Sequence, residues 1–547
     1  MGDWTLFKKW RTFKGENALL DLLIRNGTVI DGTRTTRRKS DVGVRHGKIV
    51  AVAPQIEEEA KETIDASGKI VAPGFIDIHS HSDMSPFFTD QKMQSKLYQG
   101  ITLEIVGNCG ISCLPTDDAS REAITRLISS GLELPMDGRT VEDDSLSDYA
   151  EHLKRCPAAT NIGVLVGHGT LRGMVMGFGM RKPTFEEQKH MECVLERELS
   201  EGAFGMSLGL IYPPSSYGAI DEFVALGKVL KRHDAILTVH MRSESTKIFE
   251  AVDEMLEVAR HSGVHVEISH LKLIGKPQWG RSKELLAKIR AAREEGLNIT
   301  CDQYPYTATS TGMSALVPAW AHDGGSDEMC KRLASPTEEL LSETESEIER
   351  RGGAHAVLVV STHGRLPQYE GKRLDEIAAD MELPPAQAVV RLLRASDGGV
   401  PCCYFSLSED DMLHIMREQF VCIGSDGYAM TYDRHFLGTN PHPRSFGTFP
   451  RYFQTIREHR LMSLEDAVYK ATMLPAQILG LKDRGVIAVD KIADITVFDA
   501  AEISDRATYT DSPQKPAGIC AVVIDGRVAF KNGEQTGDNI GHLVVHK

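Results

Sequence analysis

Short apolar runs punctuated by glycine turns occupy both ends of this 547-residue chain. Several of these runs alternate apolar and polar positions, and Asn-Gly, Asp-Gly and His-Gly pairs separate them. This pattern is typical of short strands joined by tight turns. The runs cover residues 21–25, 28–30, 41–44, 48–52, 494–498, 521–524 and 528–530. Because the two ends share this pattern of short apolar runs and glycine turns, we predict that residues 20–72 and 485–547 together form a small β-sandwich domain.

The central part of the chain alternates between apolar runs of strand length and longer stretches with helical spacing. The apolar runs cover residues 102–106, 161–166, 235–239, 264–268, 299–302, 356–360 and 421–423. Helical stretches at 184–201, 248–262 and 281–295 separate several of them. Alternation over about 400 residues favours a (β/α)8 TIM-like barrel over an open sheet, since no glycine-rich dinucleotide motif follows an early strand. We therefore predict an α/β fold with a barrel spanning residues 73–484.

Two further segments differ from this alternation. Residues 311–375 are long and rich in charge, especially from Glu338 to Arg351, and we predict that they form an insertion on the barrel. Residues 1–19 combine aromatic and basic side chains but lack the apolar region and cleavage site of a signal peptide. We predict an N-terminal extension that folds onto its own domain, with contact to a membrane surface or a neighbouring subunit as the alternative.

Composition and charge narrow the class of partner. The formal net charge is −15, from 62 basic and 77 acidic residues, which disfavours nucleic acid and anionic membranes as partners. The ten cysteines are scattered without a disulfide framework, and no apolar run approaches the roughly 20 residues that span a bilayer. We predict a cytoplasmic protein without a transmembrane segment that binds a small molecule, and we leave its oligomeric state open.

The motif from Pro73 to His81 carries the first chemical signal. It is a short apolar run that ends in His79 and His81, and alternate residues on a strand project to one face. Two neutral imidazoles side by side supply half of a divalent metal site. Because this spacing is common by chance, the motif predicts a metal centre only if the rest of the chain supplies further ligands.

Further candidate ligands lie just after other predicted strands. These are Cys109 after the run 102–106, His240 after 235–239, His270 after 264–268 and Asp426 after 421–423. The chemistry of a TIM barrel lies at the carboxyl ends of its strands, so residues distant in sequence meet there. Imidazole, thiolate and carboxylate groups are ligands that zinc accepts. The combination predicts a zinc site, and we assign His168 and His363 a supporting or structural role.

At this point the chain resembles a known group of enzymes. Residues 73–83 are similar to the opening signature of the amidohydrolase superfamily. The segment 107–112, with its central cysteine, resembles the D-aminoacylase (N-acyl-D-amino-acid deacylase) family. Further similar segments are 212–214, 240–244, 269–272, 302–307, 424–427, 442–444, 447–451 and the closing segment 485–498. The resemblance extends from about residue 20 to the C-terminus.

The resemblance implies two adjacent zinc positions. The tighter position would use Cys109, His240 and His270, and the weaker position would use His79, His81 and Asp426. In this family the weaker position can be empty in the working enzyme. Many members of the superfamily bridge two metals with a carboxylated lysine, whereas here the cysteine takes the bridging place. Lys272 is then free for other work, and its carboxylation remains the minority alternative.

The resemblance also implies a reaction, the hydrolysis of N-acyl-D-amino acids to a carboxylate and a free D-amino acid. A zinc with three protein ligands keeps an open position for water and lowers the pKa of that water to about 7. Asp426 is the expected general acid and base. Arg444 is the first candidate to bind the substrate α-carboxylate, because a guanidinium can donate two parallel hydrogen bonds to it. The other expected substrate contacts are Lys272, Tyr304, Tyr212 and Ser310.

Two alternatives stay open on the sequence. A cyclic amidase of the hydantoinase or dihydroorotase type shares the barrel and the metals, although the segments 107–110 and 442–444 argue against it. A non-catalytic assembly protein with an amidohydrolase-like fold is the second alternative, although such proteins usually lose metal ligands and all six are present here. The residues alone do not indicate whether the substrate side chain is hydrophobic or acidic.

Overall fold

The structure is a computed structural model that describes residues 19–131, 133–134, 136 and 138–547. The N-terminal extension predicted over residues 1–19 therefore lies outside the described residues, apart from the exposed Leu19. Within the described part of the chain, no helix combines the length and the apolar character needed to cross a membrane.

The strands are numbered in chain order. They are β1 (Leu20–Val29), β2 (Arg38–Arg45), β3 (Lys48–Ala53), β4 (Ala60–Asp65), β5 (Ile70–Pro73), β6 (Phe75–Asp77), β7 (Ile101–Val106), β8 (Asn161–Gly167), β9 (Gly205–Gly209), β10 (Ile236–His240), β11 (His265–Ile268), β12 (Ile299–Gln303), β13 (Thr309–Gly312), β14 (Val357–Val359), β15 (Pro401–Tyr404), β16 (Val421–Ile423), β17 (Ile495–Phe498), β18 (Ile519–Ile524), β19 (Arg527–Lys531) and β20 (Glu534–Gln535).

The α-helices are numbered in the same way. They are α1 (Arg121–Gly131), α2 (Leu146–Arg155), α3 (His168–Met176), α4 (Phe185–Glu201), α5 (Ile220–Arg232), α6 (Ile248–Ser262), α7 (Ser282–Glu294), α8 (Ser326–Leu333), α9 (Glu338–Arg350), α10 (Leu374–Asp380), α11 (Pro385–Ala395), α12 (Glu409–Met416), α13 (Arg434–Leu437), α14 (Arg444–His459), α15 (Leu464–Ala471) and α16 (Met473–Ile478). Short 3-10 helices lie at Ser82–Phe87, Leu97–Gln99, Ser215–Tyr217, Lys276–Gln278, Met313–Leu316, Ala319–His322, Ala354–Ala356 and Pro367–Tyr369.

A parallel sheet of eight strands forms the predicted barrel. Its strand order is β6-β7-β8-β9-β10-β11-β12-β16, and a parallel bridge between Ser80 and Gly427 brings the two edge strands together. The strands β7, β8 and β10 are buried along their whole length, as expected where helices cover the outside and side chains fill the inside. The (β/α)8 fold class is confirmed.

Two details of the predicted alternation were wrong. The run 356–360 forms β14, which belongs to a different sheet, and the missing barrel strand is β9. The sequence of β9, Gly-Met-Ser-Leu-Gly, has little β propensity. Its glycines are there for close packing, because a Cβ on Gly205 would lie 2.0 Å from the carbonyl oxygen of Ile236.

Helix boundaries follow local signals closely. The predicted helix 184–201 is α4, which Thr184 caps. The hydroxyl of Thr184 accepts a hydrogen bond from the N–H of Glu187, whose carboxylate accepts one from the N–H of Thr184. This reciprocal arrangement satisfies two N–H groups that the first turn leaves without helical partners.

Strands from both ends of the chain, which we predicted to form a small β-sandwich together, share one nine-stranded sheet. Its order is β20-β19-β18-β17-β5-β1-β2-β3, and β4 pairs with the first half of β1 on the edge that the end of β1 uses for β5. A bulge between Ile24 and Gly27 lets β1 leave β4 and pair with β5. The antiparallel pair β5–β17 joins the N-terminal strands to the C-terminal ones and leads directly into the barrel at β6.

The inserted unit extends further than the predicted range of 311–375. The strands β13, β15 and β14 form an antiparallel sheet with β15 in the middle, and a separate hydrophobic core runs from Met313 to Tyr404. The predicted boundary at 375 falls inside this unit. The charged stretch covers only part of this unit. The sequence does not indicate that β15 belongs to it, because β15 is a four-residue buried strand whose pairing partners are distant in sequence.

Candidate metal centre

The six predicted ligands converge at the carboxyl ends of the barrel strands. The residues His79 and His81 follow β6, Cys109 follows β7, His240 ends β10, His270 follows β11 and Asp426 follows β16. Their ligand atoms form two groups, each within 4.8 Å: His79, His81, Cys109 and Asp426, and Cys109, His240 and His270. The parallel barrel therefore brings together residues separated by up to about 350 positions in the sequence.

Cys109 belongs to both groups. Its Sγ lies 3.4 Å from Nε2 of His79 and 3.4 Å from Nε2 of His270. On the other side, Nε2 of His81 lies 3.0 Å from Oδ1 of Asp426. A thiolate between two clusters of donors is the arrangement expected of a ligand that bridges two metal positions.

The imidazole of His240 provides a test of whether these residues fit a metal. It is buried, and neither of its ring nitrogens has a hydrogen-bond partner among the described residues. A buried polar group without a partner costs about 1–3 kcal/mol, so such groups point to a missing ligand or water. Burial also lowers the pKa of His240, which favours the neutral form that binds metal. The nitrogen and sulfur donors of this group fit zinc.

Three of the candidate ligands have backbone conformations in the left-handed region. The φ angles are 54° at Cys109, 38° at His270 and 52° at Asp426. Conformations of this kind cost about 1–3 kcal/mol each and persist only where the surroundings impose them. Glycine makes room for one of them, because a Cβ on Gly209 would lie 1.9 Å from the carbonyl oxygen of Cys109.

The charges in the site favour ionised ligands. Burial opposes ionisation of the Cys109 thiol, yet the charges of His79 and His270 hold its pKa well below the usual value. Burial likewise opposes ionisation of Asp426, and the charges of Arg444 and His270 hold the pKa of that carboxyl well below its usual value. A thiolate and a carboxylate are thus available to a cation.

Asp302 at the end of β12 orients two of the candidate ligands. Its Oδ2 lies 3.1 Å from Nδ1 of His79, and its Oδ1 accepts a hydrogen bond of 2.9 Å from the N–H of His270. A carboxylate behind a histidine fixes the ring orientation and raises its basicity as a ligand. We predicted no role for this residue, although an aspartate that ends an apolar strand was the available signal.

Lys272 lies behind His270. Its Nζ donates to Oε1 of Glu244 at 2.5 Å and to the carbonyl of His270 at 2.9 Å. The same Glu244 oxygen lies 3.0 Å from Nδ1 of His270. Lys272 therefore forms an ion pair with Glu244 beside His270, and its side chain also lines the cavity.

Arg444 begins α14 and reaches Asp426. Its Nη1 donates to Oδ2 of Asp426 at 2.5 Å, and its Nη2 donates to the carbonyl of Ser310 at 3.3 Å. The guanidinium lies 5.3 Å from the centre of the Tyr304 ring, and its buried Nε has no hydrogen-bond partner among the described residues. The predicted base and the predicted carboxylate-binding group are thus direct neighbours.

The remaining predicted contacts, Tyr212, Tyr304 and Ser310, line the same cavity, which has a volume of about 1050 Å³. The hydroxyl of Tyr212 lies 2.9 Å from Oγ1 of Thr311, and the Tyr212 ring packs against His240 at 5.0 Å. The buried hydroxyl of Tyr304 has no partner within the described part of the chain. The hydroxyl of Ser310 donates to Glu133.

The buried Lys96, for which we predicted no role, holds the two edge strands of the barrel together. Lys96 is fully buried, and its Nζ donates to Asp77 Oδ2 at 2.7 Å, Ser425 Oγ at 2.7 Å and Ser80 Oγ at 3.0 Å. Asp77 ends β6, and Ser425 immediately precedes Asp426. This cluster, which we call the Lys96 cluster, fixes the loops that carry His79, His81 and Asp426.

His168 supports the site from outside the cavity. Its Nδ1 lies 2.8 Å from Oγ of Ser215, and its Nε2 lies 2.8 Å from Oε1 of Glu222. The Ser215 hydroxyl accepts a hydrogen bond of 3.2 Å from Gly209 N–H. The three side chains resemble a hydrolytic triad in their contacts, but they are buried, so their role here is to support the loops around Cys109. His363 lies in the inserted unit and does not line the cavity.

Comparison with known proteins gives consistent matches over nearly the whole chain. The model of the amidohydrolase family matches residues 62–350 and 420–530. A D-aminoacylase of Alcaligenes xylosoxydans xylosoxydans is 34% identical over 526 residues, covering 96% of this chain and 97% of that protein. An N-acyl-D-glutamate deacylase of the same organism is 35% identical over 512 residues, covering 93% and 94%.

A solved structure extends the likeness to three dimensions. The N-acyl-D-glutamate deacylase of Bordetella bronchiseptica, complexed with zinc and a phosphonate inhibitor that mimics the tetrahedral intermediate, superposes with a TM-score of 0.80. That protein is 32% identical, and the match covers 96% of this chain and 99% of that one.

Proposed function

This chain belongs to the amidohydrolase family, and we propose that it is a zinc-dependent hydrolase that converts N-acyl-D-amino acids to a carboxylate and a free D-amino acid. The observation that carries the proposal is the position of Cys109, whose Sγ belongs to both groups of candidate ligands. The relatives named as D-aminoacylase and N-acyl-D-glutamate deacylase support the substrate class.

We propose that Cys109, His240 and His270 hold the tighter zinc and that His79, His81 and Asp426 provide the weaker position. Bound zinc would polarise the amide carbonyl and acidify a water molecule. The chain's own part begins with Asp426, which Arg444 and His270 hold in its ionised form, so that its carboxylate has a free site for a proton. Asp426 would take one proton from the attacking water and transfer it to the amine nitrogen as the C–N bond breaks.

Arg444 would bind the substrate α-carboxylate, assisted by Tyr304 and Ser310. The unpartnered Nε of Arg444 and the unpartnered hydroxyl of Tyr304 are two donors that a carboxylate could use. Arg444 now pairs with Asp426, but a metal ion beside Asp426 would compensate that carboxylate's charge. The guanidinium could then turn to the substrate without leaving a buried charge unpaired. Tyr212 would lie beside the acyl group, and Lys272 would lie beside His270.

The test is hydrolysis of N-acetyl-D-methionine by the purified protein with its zinc content measured on the same sample. We expect release of D-methionine and little turnover of the L enantiomer. Asp426→Asn should abolish turnover while zinc remains bound at the cysteine position, because that position does not use Asp426. Near-normal hydrolysis by Asp426→Asn would refute the assignment of the base.

Hydantoin in the same assay distinguishes the cyclic amidase alternative, and zinc binding without turnover of any amide would favour the assembly protein. No feature of the described residues specifically favours either alternative. We also propose a cytoplasmic location, since all ten cysteines are free thiols.

A further inference from the structure

Every lysine and arginine side chain that lines the cavity is already bonded to a carboxylate. Nearest the proposed metal ligands, Lys272 bonds to Glu244 and Arg444 bonds to Asp426, each at 2.5 Å. Arg351 bonds to Glu347 at 2.8 Å. Among the described residues that line this cavity, acidic side chains outnumber lysine and arginine by seven to six. The described residues that line the cavity therefore offer a second negative charge on the substrate no lysine or arginine without a carboxylate partner.

Apolar side chains line several parts of the cavity, and three of them belong to loops that also carry proposed site residues. Ile111 follows Cys109 by two residues, Ile211 precedes Tyr212, and Leu316 ends the 3-10 helix that follows the strand of Ser310. We call Ile111, Ile211 and Leu316 the apolar wall. Its members come from the same loops that carry a candidate ligand and two expected substrate contacts, so the wall borders the proposed reaction centre.

Resting on the proposed function, we propose that the apolar wall receives the substrate side chain and that the enzyme selects apolar D-amino acids, such as methionine, leucine and phenylalanine, over glutamate and aspartate. An N-acyl amino acid already requires Arg444 for its α-carboxylate. The other cation near the proposed ligands, Lys272, is held in a buried ion pair with Glu244, and a second carboxylate that bound it would leave the charge of Glu244 uncompensated. Asp83 and Glu244, which also line the cavity, would repel it.

Overall identity to known relatives does not predict this preference. The D-aminoacylase and the N-acyl-D-glutamate deacylase are 34% and 35% identical to this chain. The preference for apolar over acidic side chains depends instead on which charged groups in the cavity are already paired. An apolar pocket gains from burying an apolar side chain, whereas a charged side chain there loses hydration without gaining a partner.

The test compares the zinc-loaded wild-type protein on the N-acetyl derivatives of D-methionine, D-glutamine and D-glutamate. Glutamine and glutamate match in size and differ in charge. We expect kcat/KM to be highest for methionine and at least tenfold higher for glutamine than for glutamate. Glutamate hydrolysed as well as glutamine would overturn the inference. Absence of turnover on all three with zinc bound would instead remove the proposed function.

A variant tests the location of the apolar wall. Ile211 is only partly buried, so Ile211→Arg can place a cation in the cavity without filling a closed core. We expect Ile211→Arg to raise the glutamate-to-glutamine ratio of kcat/KM at least tenfold, while the uncharged control Ile211→Met leaves the ratio within twofold. With zinc content unchanged in both variants, an unaltered ratio in Ile211→Arg would overturn the assignment of this wall.

Discussion

At the scale of single residues, the chemistry of the site depends on how Cys109 differs from the other buried thiols. Burial raises the pKa of Cys113, four residues away, well above its usual value, while His79 and His270 lower that of Cys109. Both thiols are buried, so burial alone does not create a ligand. The flanking imidazoles make the difference.

Cys109→Ala should remove zinc from both positions, because this residue belongs to both groups of ligands. We expect zinc content to fall below one equivalent and kcat/KM to fall at least about a hundredfold. Loss of a residue that only orients a metal ligand already lowers activity by about 10- to 100-fold. Elemental analysis and the hydrolysis assay measure the two effects. Cys113→Ala is the matched control and should keep its zinc. Full zinc content in Cys109→Ala would contradict the bridging role.

Arg444→Ala should raise KM for N-acetyl-D-amino acids by about thirtyfold or more, equivalent to ~2 kcal/mol, since truncating a buried charged partner costs about 2–5 kcal/mol. Steady-state kinetics measure it. Arg457→Ala, on the same helix α14, is the control, because Arg457 donates to the backbone carbonyls of Ala500 and Ile503 and does not line the cavity. A KM that stays at the wild-type value would show that the carboxylate binds elsewhere.

At the scale of elements, the barrel depends on a contact between its first and last strands. Lys96 joins the end of β6 to the loop after β16, and its ammonium is bonded to Asp77 in a fully buried environment. Breaking a buried ion pair by removing one partner leaves an uncompensated charge. The Lys96 cluster therefore couples the stability of the barrel to the geometry of the weaker metal position.

Lys96→Met should lower the free energy of unfolding by about 3–5 kcal/mol, because Asp77 would be left buried and unpaired. It should also weaken zinc binding at the position of His79, His81 and Asp426 more than at the cysteine position. Urea denaturation and zinc titration measure the two effects. Lys92→Met removes an exposed lysine nearby and should change stability by less than about 0.5 kcal/mol. Equal stability of the two variants would contradict the role of the cluster.

The elements also show where sequence reasoning succeeds and where it stops. His240 and Asp426 were predictable because each follows an apolar run, and a barrel places all such positions at one edge. The strand β9 and the limits of the inserted unit were not predictable, since glycine at β9 serves close packing and β15 pairs across long sequence separations. Asp302 and Lys96 act through contacts that exist only in the folded chain.

At the scale of the whole molecule, metal binding and folding stability are linked. Three candidate ligands have unfavourable φ angles, and the His240 ring, which makes no hydrogen bond to any described residue, adds a further cost. A ligand that binds only the folded state adds about 4 kcal/mol when its free concentration is a thousand times its Kd. Zinc can therefore offset strain that is concentrated around one site.

Removing zinc with a chelator should lower the Tm by at least about 3 °C. Differential scanning calorimetry with and without the chelator measures the shift, and added zinc should restore the original Tm. The Cys109→Ala variant is the control, since it has little zinc to lose and its Tm should not respond. A chelator that leaves the wild-type Tm unchanged would contradict the link.

The pairing of β5 with β17 has a consequence for synthesis of the protein. On the ribosome, β5 emerges more than 400 residues before β17, so its edge stays open until residues 495–498 have been made. Such long-range pairing raises the contact order and slows folding, and open strand edges promote aggregation. A nascent chain stopped before residue 495 would also expose the start of the barrel at β6. The strand β17 therefore protects the edge of β5 and the start of the barrel that follows it.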